Sequence, residues 1–254
     1  LTINAMARDA DGVLIDPFEG RSDLGRKRLR HVSAAFAEDP LRVYRVARFA
    51  AQLADFEIAP ETLALMRSMR GELATLPADR VWTEGEKASV AADPGRFFEV
   101  VEEAQAASIW FEGIALEPLA GRVRAAPCGP IAIASVGWGS DREWTAAFCD
   151  RLKTPRRVRA AAVALSAWGR LLAEDRADAA ELLAALTDVG AFREGRVMDD
   201  VFALVESCSG VSLAEVRAIV AELKTVGVSK RLQGADYGRA LREARLARLQ
   251  ERAR

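Results

Sequence analysis

From about residue 39 to the end of the chain, apolar residues recur at intervals of three and four. That spacing places them on one face of an α-helix. The first such run passes through Val43, Val46, Ala47, Ala50 and Leu53. Pro40 stands at a favourable first helical position with Asp39 as the cap. The same pattern predicts helices over 60–69, 78–91, 94–107, 142–152, 155–173, 177–188, 196–206, 212–225 and 235–252. Pro60 and Pro155 open two of these, and Ser212 with Glu215 forms a capping box ahead of another. Residues 1–36 read differently. Thr2 to Ala7 and Val13 to Ile15 are strand-like runs around Asp11-Gly12, a hairpin signal because glycine accepts a positive φ without steric cost. Asp16-Pro17-Phe18-Glu19-Gly20 is a second turn, followed by a short polar helix and a strand candidate over Leu29 to Val32. Between Gly113 and Ser140, glycines and prolines break the helical pattern, and this stretch reads as a loop or as a linker between two helical parts.

The chain has 254 residues, half of them hydrophobic and 29% charged. That is enough to bury a real core in one large or several small domains, and it excludes global disorder. No apolar run approaches the roughly 20 residues of a membrane-spanning helix, and no signal-peptide pattern opens the sequence. Cys128, Cys149 and Cys208 are odd in number and widely separated, which excludes a disulfide framework or a Cys-x-x-Cys zinc site. These features fit a cytoplasmic location. His31 is the single histidine and reads as structural. Trp110, Trp138, Trp144 and Trp168 read as packing anchors. Asp199 and Asp200 read as part of a solvated acidic face.

The most informative stretch is Glu38-Asp39-Pro40-Leu41-Arg42-Val43-Tyr44-Arg45-Val46-Ala47-Arg48. Arg42, Arg45 and Arg48 recur every three residues, so they lie near one helix face. Arg42 and Arg45 fall in the first turns, where the unpaired N–H groups already make the helix end positive and disfavour cations. A guanidinium there calls for an anionic or acceptor partner, and Glu38 and Asp39 are adjacent. The residues alone leave two readings open, a functional cluster of this kind or a plain cap followed by solvated arginines.

Four fragments, taken in order, resemble the class II tRNA nucleotidyltransferase family, which comprises the CCA-adding enzymes and the bacterial poly(A) polymerases. Leu1-Thr2-Ile3-Asn4-Ala5 is similar to the second half of that family's R-R-D-[FL]-T-x-N-A motif. Asp16 to Leu24 is similar to D-P-[FY]-G-G-x-x-D-L, with Glu19 in place of the first glycine. Glu38, Asp39, Arg42 and Arg45 match E-D-x-x-R-x-x-R. Asp79-Arg80-Val81-Trp82-Thr83-Glu84 resembles an E-R-[VI]-W-x-E helix start, with Gly85 where an apolar residue is usual. The resemblance is strongest over 1–55 and extends to about 105, with weaker likeness beyond.

The resemblance implies a mainly α fold: the C-terminal part of a nucleotidyltransferase head with a short β hairpin over 1–36, a base-selecting neck over 37–112, a helical body over 113–228 and a helical tail over 229–254. It implies addition of C and A to the tRNA 3′ end from CTP and ATP, with Mg²⁺. Cytosine and adenine both present an amino donor beside a ring-nitrogen acceptor, and guanine and uracil present the reverse. A carboxylate beside a guanidinium therefore pairs with the first two and clashes with the others. By resemblance Asp39 and Arg42 read the base, Glu38 positions Arg42, Arg45 supports the template or the triphosphate, and Asn4 contacts sugar or phosphates. Asp16 holds its turn.

Nucleotidyl transfer needs metal ions held by paired carboxylates. In the family these lie on a D-x-D strand upstream of the R-R-D motif, so here they are expected before Leu1, and the chain by itself is expected to be inactive. Asp9-Ala10-Asp11 is read as part of the hairpin turn and not as that pair. Poly(A) addition, or a non-catalytic helical RNA-binding or scaffold role, are the rival functions.

A formal net charge of −1 hides a polarised chain. Residues 21–48 and 229–254 each carry eight basic against three acidic side chains, whereas 172–206 carry nine acidic against three basic. Arg151, Lys153, Arg156, Arg157 and Arg159 surround Pro155, and Lys230, Arg231, Arg239, Arg242, Arg245, Arg248, Arg252 and Arg254 cluster at the end. Arg156, Arg157, Arg159, Arg239 and Arg242 are the candidates for contact with tRNA phosphates.

Overall fold

The computed structural model describes residues 1–127, 129–174, 178–229 and 231–252. Cys128, Asp175, Arg176, Lys230 and Arg254 lie outside them. The fold is mainly α, with two pairs of two-residue strands, and it divides into two compact units. Among the described residues no helix is long and apolar enough to cross a membrane.

The first unit comprises Leu1–Ile133 and Ala147–Thr154. Strands β1 (Ala7–Arg8) and β2 (Leu14–Ile15) form the hairpin, antiparallel, with Ala7 opposite Ile15. The expected first strand is shorter than its sequence run, because Thr2–Asn4 forms a single turn of 3-10 helix instead. Asp9 Oδ1 accepts the N–H groups of Asp11 (3.0 Å) and Val13 (2.8 Å), and Gly12 takes a φ of +81°. The Asp9 carboxylate is thus committed to its own turn.

Helix α1 (Gly20–Gly25) follows. Strand β3 (Arg28–Leu29) pairs in parallel with β4 (Glu57–Ile58), on either side of α2 (Arg42–Gln52). Helix α2 buries Val43, Tyr44, Val46, Ala47, Ala50 and Ala51 against α4 (Ala78–Ala88) and α5 (Gly95–Glu103). Between them, α3 (Pro60–Ser68) continues into a 3-10 stretch, Met69–Thr75. Tyr44, Phe97, Phe98 and Phe111 form the aromatic centre, with ring centroids 5.2 to 6.5 Å apart. The Tyr44 hydroxyl donates to the Ala106 carbonyl at 2.8 Å, and burial pushes its phenol pKa up. Trp110 anchors the packing as expected, its indole N–H donating to the Leu73 carbonyl at 2.8 Å.

The stretch read as a loop or linker contains α6 (Leu116–Ala125), which buries Leu116, Leu119, Ala120 and Val123 against α5. Pro118 concealed it from the sequence pattern, yet it sits in the first turn, where no intrahelical N–H bond is lost. A Cβ at Gly95 would lie 2.5 Å from the Ala120 carbonyl oxygen, so only glycine permits this crossing. This segment therefore belongs to the first unit, and residues 113–133 do not open the second.

The second unit comprises Ala134–Ala146 and Pro155–Arg254. Helix α7 (Arg142–Arg151) is shared between the units. Helix α8 (Arg156–Ala173) packs on α9 (Ala179–Asp188) and α10 (Val197–Ser209), and α12 (Gly234–Arg252) packs on α9. Phe202, Leu165 and Leu186 are fully buried there. The predicted capping box before α11 (Ala214–Thr225) does not form. Ser212 Oγ accepts from Ala214 N–H at 3.3 Å, but Glu215 pairs with Arg252 at 3.0 Å, and Glu206 of α10 accepts the Leu213 N–H at 2.9 Å.

Candidate functional site

The first unit carries a cleft of about 390 Å³, lined by Asn4, Ala35, Phe36, Arg42, Arg45 and Phe49 among others. Two motif fragments line it, Asn4 from the first and Arg42 with Arg45 from the third, and the Asp16–Leu24 fragment holds the first in place. Thr2 N–H donates to the Arg30 carbonyl at 2.9 Å, and Thr2 Oγ1 donates to Asp23 Oδ2 at 2.6 Å. Arg30 Nε donates to the same oxygen at 2.8 Å. Asp23 is almost fully buried. Burial alone would raise its pKa, but the Thr2 hydroxyl and the Arg30 guanidinium outweigh that and hold it below the ordinary carboxylate range.

The Asp16–Leu24 motif is therefore an anchor for the turn that carries Asn4. Asp16 accepts the N–H groups of Gly20 (2.6 Å) and Arg21 (2.9 Å), holding its turn as expected. A Cβ at Gly20 would lie 2.3 Å from the Thr2 carbonyl oxygen. Glu19, the departure from the family pattern, takes a left-handed φ of 58°, which is the conformation a glycine would adopt without strain.

Arg42 and Arg45 enter the cleft from the first turn of α2, Arg42 half-buried and Arg45 exposed. The helix begins at Arg42, not at Pro40, and Asp39 is not its formal cap. Asp39 is extended (φ −132°, ψ 103°) between α2 and a preceding 3-10 turn, Ala34–Glu38. Its Oδ1 accepts the Leu41 N–H at 3.1 Å.

That break in the helix bears on the pair expected between Glu38 and Arg42. Glu38 does not hold Arg42; the Arg42 guanidinium donates to the Ala35 carbonyl, and among the described residues no Glu38–Arg42 ion pair exists. Glu38 and Arg42 are four residues apart, but not on one continuous helix. Asp39 is half-buried, lies outside the cleft lining, and pairs with Arg80 of α4 at 3.3 Å. Arg48 is carried away from the cleft by the 100° advance per residue and pairs with Glu84 at 2.6 Å. Arg80 and Glu84 were visible in the D-R-V-W-T-E motif, but nothing local in the sequence named their partners. His31 is structural, as expected: its backbone N–H donates to Thr62 Oγ1 at 3.0 Å and its Nδ1 lies 2.8 Å from the same oxygen.

The cleft therefore offers two guanidiniums, an amide and apolar walls, with no carboxylate in its lining. Guanidiniums match the planar geometry of phosphate oxygens and of base-edge acceptors. Among the described residues no group of three or more His, Cys, Asp and Glu side chains is arranged to hold a metal ion. With no carboxylate in its lining, the cleft does not fit an Mg²⁺ site.

In the second unit a cleft of about 630 Å³ is lined by Arg142, Trp168, Asp188, Arg193, Arg242 and Arg245, together with apolar residues of α9 and α12. Trp168 donates its indole N–H to Asp188 at 2.6 Å. Arg245 lies 3.8 Å over the Phe192 ring and its pKa is lowered by burial. Arg156 is exposed. Arg239 pairs with Asp236, and Arg248 and Arg252 tie α12 to Glu222 of α11. Arg159 is half-buried on α8. Arg157 is not a free cation: it forms a two-pronged ion pair with Asp200, both contacts 2.6 Å. Asp200 is buried, contrary to the expectation of a solvated face.

Comparison with known proteins adds three findings. Residues 55–117 match the family described as "Probable RNA and SrmB- binding site of polymerase A". The chain is 59% identical over 105 residues to the Multifunctional CCA protein of Dechloromonas aromatica (strain RCB), and 55% identical over 118 residues to that of Thioalkalivibrio sulfidiphilus (strain HL-EbGR7). These matches cover 41% and 45% of this chain but only 26% and 29% of the relatives, so the matched stretch spans little more than a quarter of their length. Among solved structures, the Thermotoga maritima CCA-adding enzyme complexed with tRNA has a TM-score of 0.70 at 19% identity, covering 98% of this chain and 67% of that one. The Bacillus stearothermophilus CCA-adding enzyme in complex with CTP has a TM-score of 0.62 at 23% identity, with 99% and 72% covered. The fold is therefore that of the CCA-adding enzymes.

Proposed function

We infer that this chain, a member of the family of CCA-adding enzymes and bacterial poly(A) polymerases, supplies the nucleotide-reading neck and the RNA-facing helical body of a nucleotidyltransferase that adds C and A to the 3′ end of tRNA from CTP and ATP. The observation that carries this reading is the convergence of Asn4, Arg42 and Arg45, from two of the motif fragments, on one cationic cleft.

In this reading Arg42, steadied by the Ala35 carbonyl, donates its remaining N–H groups to the ring-nitrogen acceptor of C or A. Asp39, three residues before Arg42 and outside the cleft lining itself, accepts the exocyclic amino group at the cleft's edge. G and U present donors and acceptors in the opposite order and leave both groups unpaired, a mismatch that buried polar sites convert into discrimination of about 10⁴-fold or more. Arg45 and Asn4 take the triphosphate or ribose. Mg²⁺ is held by carboxylates outside this chain, so no step here passes through a metal. Arg156, Arg159, Arg239 and Arg242, with Arg142 and Arg193 beside Arg242, face the tRNA backbone, where shape and phosphate contact suffice for recognition. Arg157 belongs to the fold and not to that surface. The protein works in the cytoplasm.

Poly(A) addition is the second reading, favoured by the polymerase A family match over 55–117. One assay separates the two. The full-length gene product, given tRNA lacking its 3′ end, should add CMP and AMP and then stop. Processive AMP addition without CMP supports the second reading, and no incorporation of either nucleotide contradicts both.

A further inference from the structure

Asp39 and Arg80 are 41 residues apart and meet at 3.3 Å. Arg80 is the third residue of α4, in the turn where a cation is disfavoured by the helix dipole. A carboxylate facing it offsets that cost. Both side chains are substantially exposed, 46% and 30%, and pairs of this kind contribute little to stability. What the contact does fix is direction. Asp39 Oδ1 is held by the Leu41 N–H at 3.1 Å and Oδ2 by Arg80, so the carboxylate is pinned at both oxygens and its plane is set.

The same helix grips α2 a second time. Glu84 lies one turn beyond Arg80, on the same face, and pairs with Arg48 at 2.6 Å. Arg80 thus holds Asp39, three residues before the start of α2, and Glu84 holds α2 itself. The two clamps fix Asp39 relative to the helix that carries Arg42 and Arg45. With no ion pair between Glu38 and Arg42 among the described residues, α4 is the element that indexes the reading residues against one another.

We propose that Arg80 is the positioning residue for the Asp39 carboxylate and thereby sets the preference for C and A over G and U. This rests on the nucleotide-reading role given above to Asp39 and Arg42. An ionised carboxylate has about four lone-pair sites, so Oδ2 holds Arg80 and still accepts from a base amino group. Without Arg80 the carboxylate keeps a single anchor and rotates, and its acceptor no longer stands at a fixed place beside the Arg42 donors.

The test is kcat/KM for CTP, ATP, UTP and GTP with the full-length gene product and tRNA lacking its 3′ end. It compares wild type, Arg80→Ala, Arg80→Gln and Arg80→Lys, with a melting curve for each. Arg80→Ala should lower the preference for CTP and ATP over UTP and GTP by about tenfold or more, with Arg80→Lys between it and wild type. Arg80→Gln keeps length without charge and replaces Arg80→Ala should that variant melt early. An unchanged preference in the Ala or Gln variant, or an equal loss for all four nucleotides, overturns the inference while leaving the nucleotide-reading proposal intact. A wild-type enzyme without the preference overturns that proposal, and this inference with it.

Discussion

Arg48 and Glu84 form an ion pair of 2.6 Å in which the side chains are only 11% and 8% exposed. The Arg48 guanidinium also lies 4.1 Å over the Phe49 ring and donates to Gln52 at 2.7 Å. Removing one partner strands a nearly buried charge on the other. Glu84→Ala should therefore destabilise the first unit by about 3–5 kcal/mol, read as a shift of the urea midpoint at constant m-value. A change of well under 1 kcal/mol would mean that the pair is hydrated in solution.

Two glycines should respond in opposite directions to alanine. At Gly20 a Cβ meets the Thr2 carbonyl oxygen at 2.3 Å, so Gly20→Ala forces the Asn4 turn away from α1 and should cost about 2 kcal/mol or more. At Gly85, inside α4, a Cβ finds only side-chain carbons of Phe97 and Ile133 at 4.0 Å. Gly85→Ala should stabilise by about 1 kcal/mol through helix propensity. Thermal melts of the two variants give the comparison directly.

The Thr2–Asp23–Arg30 cluster makes the Asn4 turn sensitive to acid. The folded-state pKa of Asp23 lies below its ordinary 3.8, so its contribution to stability is present above that value and is lost as pH falls through the folded pKa. Denaturation midpoints measured from pH 6 downward should fall less steeply for Asp23→Asn than for wild type, from a lower starting value. Parallel profiles would remove Asp23 from the account of acid stability.

Arg157 and its neighbour Arg156 should separate stability from RNA binding. Arg157→Ala leaves the buried Asp200 carboxylate without its two-pronged partner and should cost about 2 kcal/mol, with little change in the salt dependence of tRNA binding. Arg156→Ala should leave the melt unchanged and reduce the slope of log K against log salt by about one phosphate contact. The reverse pattern would put Arg157 on the RNA face.

The helical pattern and the motif fragments were legible in the sequence because both are local. Period-3.6 spacing found α2 to α5 and α7 to α12 within a few residues, and Asp9, Asp16 and Gly12 declared their turns. What stayed hidden depends on partners distant in the chain. Asp39 pairs with Arg80, Glu215 pairs with Arg252 and not with its own cap, and Asp200 is drawn into the core by Arg157. Helix α6 was hidden for a local reason: Pro118 reads as a breaker unless the helix start is already known to lie just before it.

Nucleotide selectivity tests most directly whether Asp39 and Arg42 read the incoming base. Rates of CMP, AMP, UMP and GMP incorporation into tRNA lacking its 3′ end should be measured for the full-length gene product and for its Asp39→Ala and Arg42→Ala variants. Wild type should strongly favour C and A, and each variant should lose most of that preference along with most of its rate. Undiminished C and A incorporation with unchanged selectivity in both variants would contradict that role.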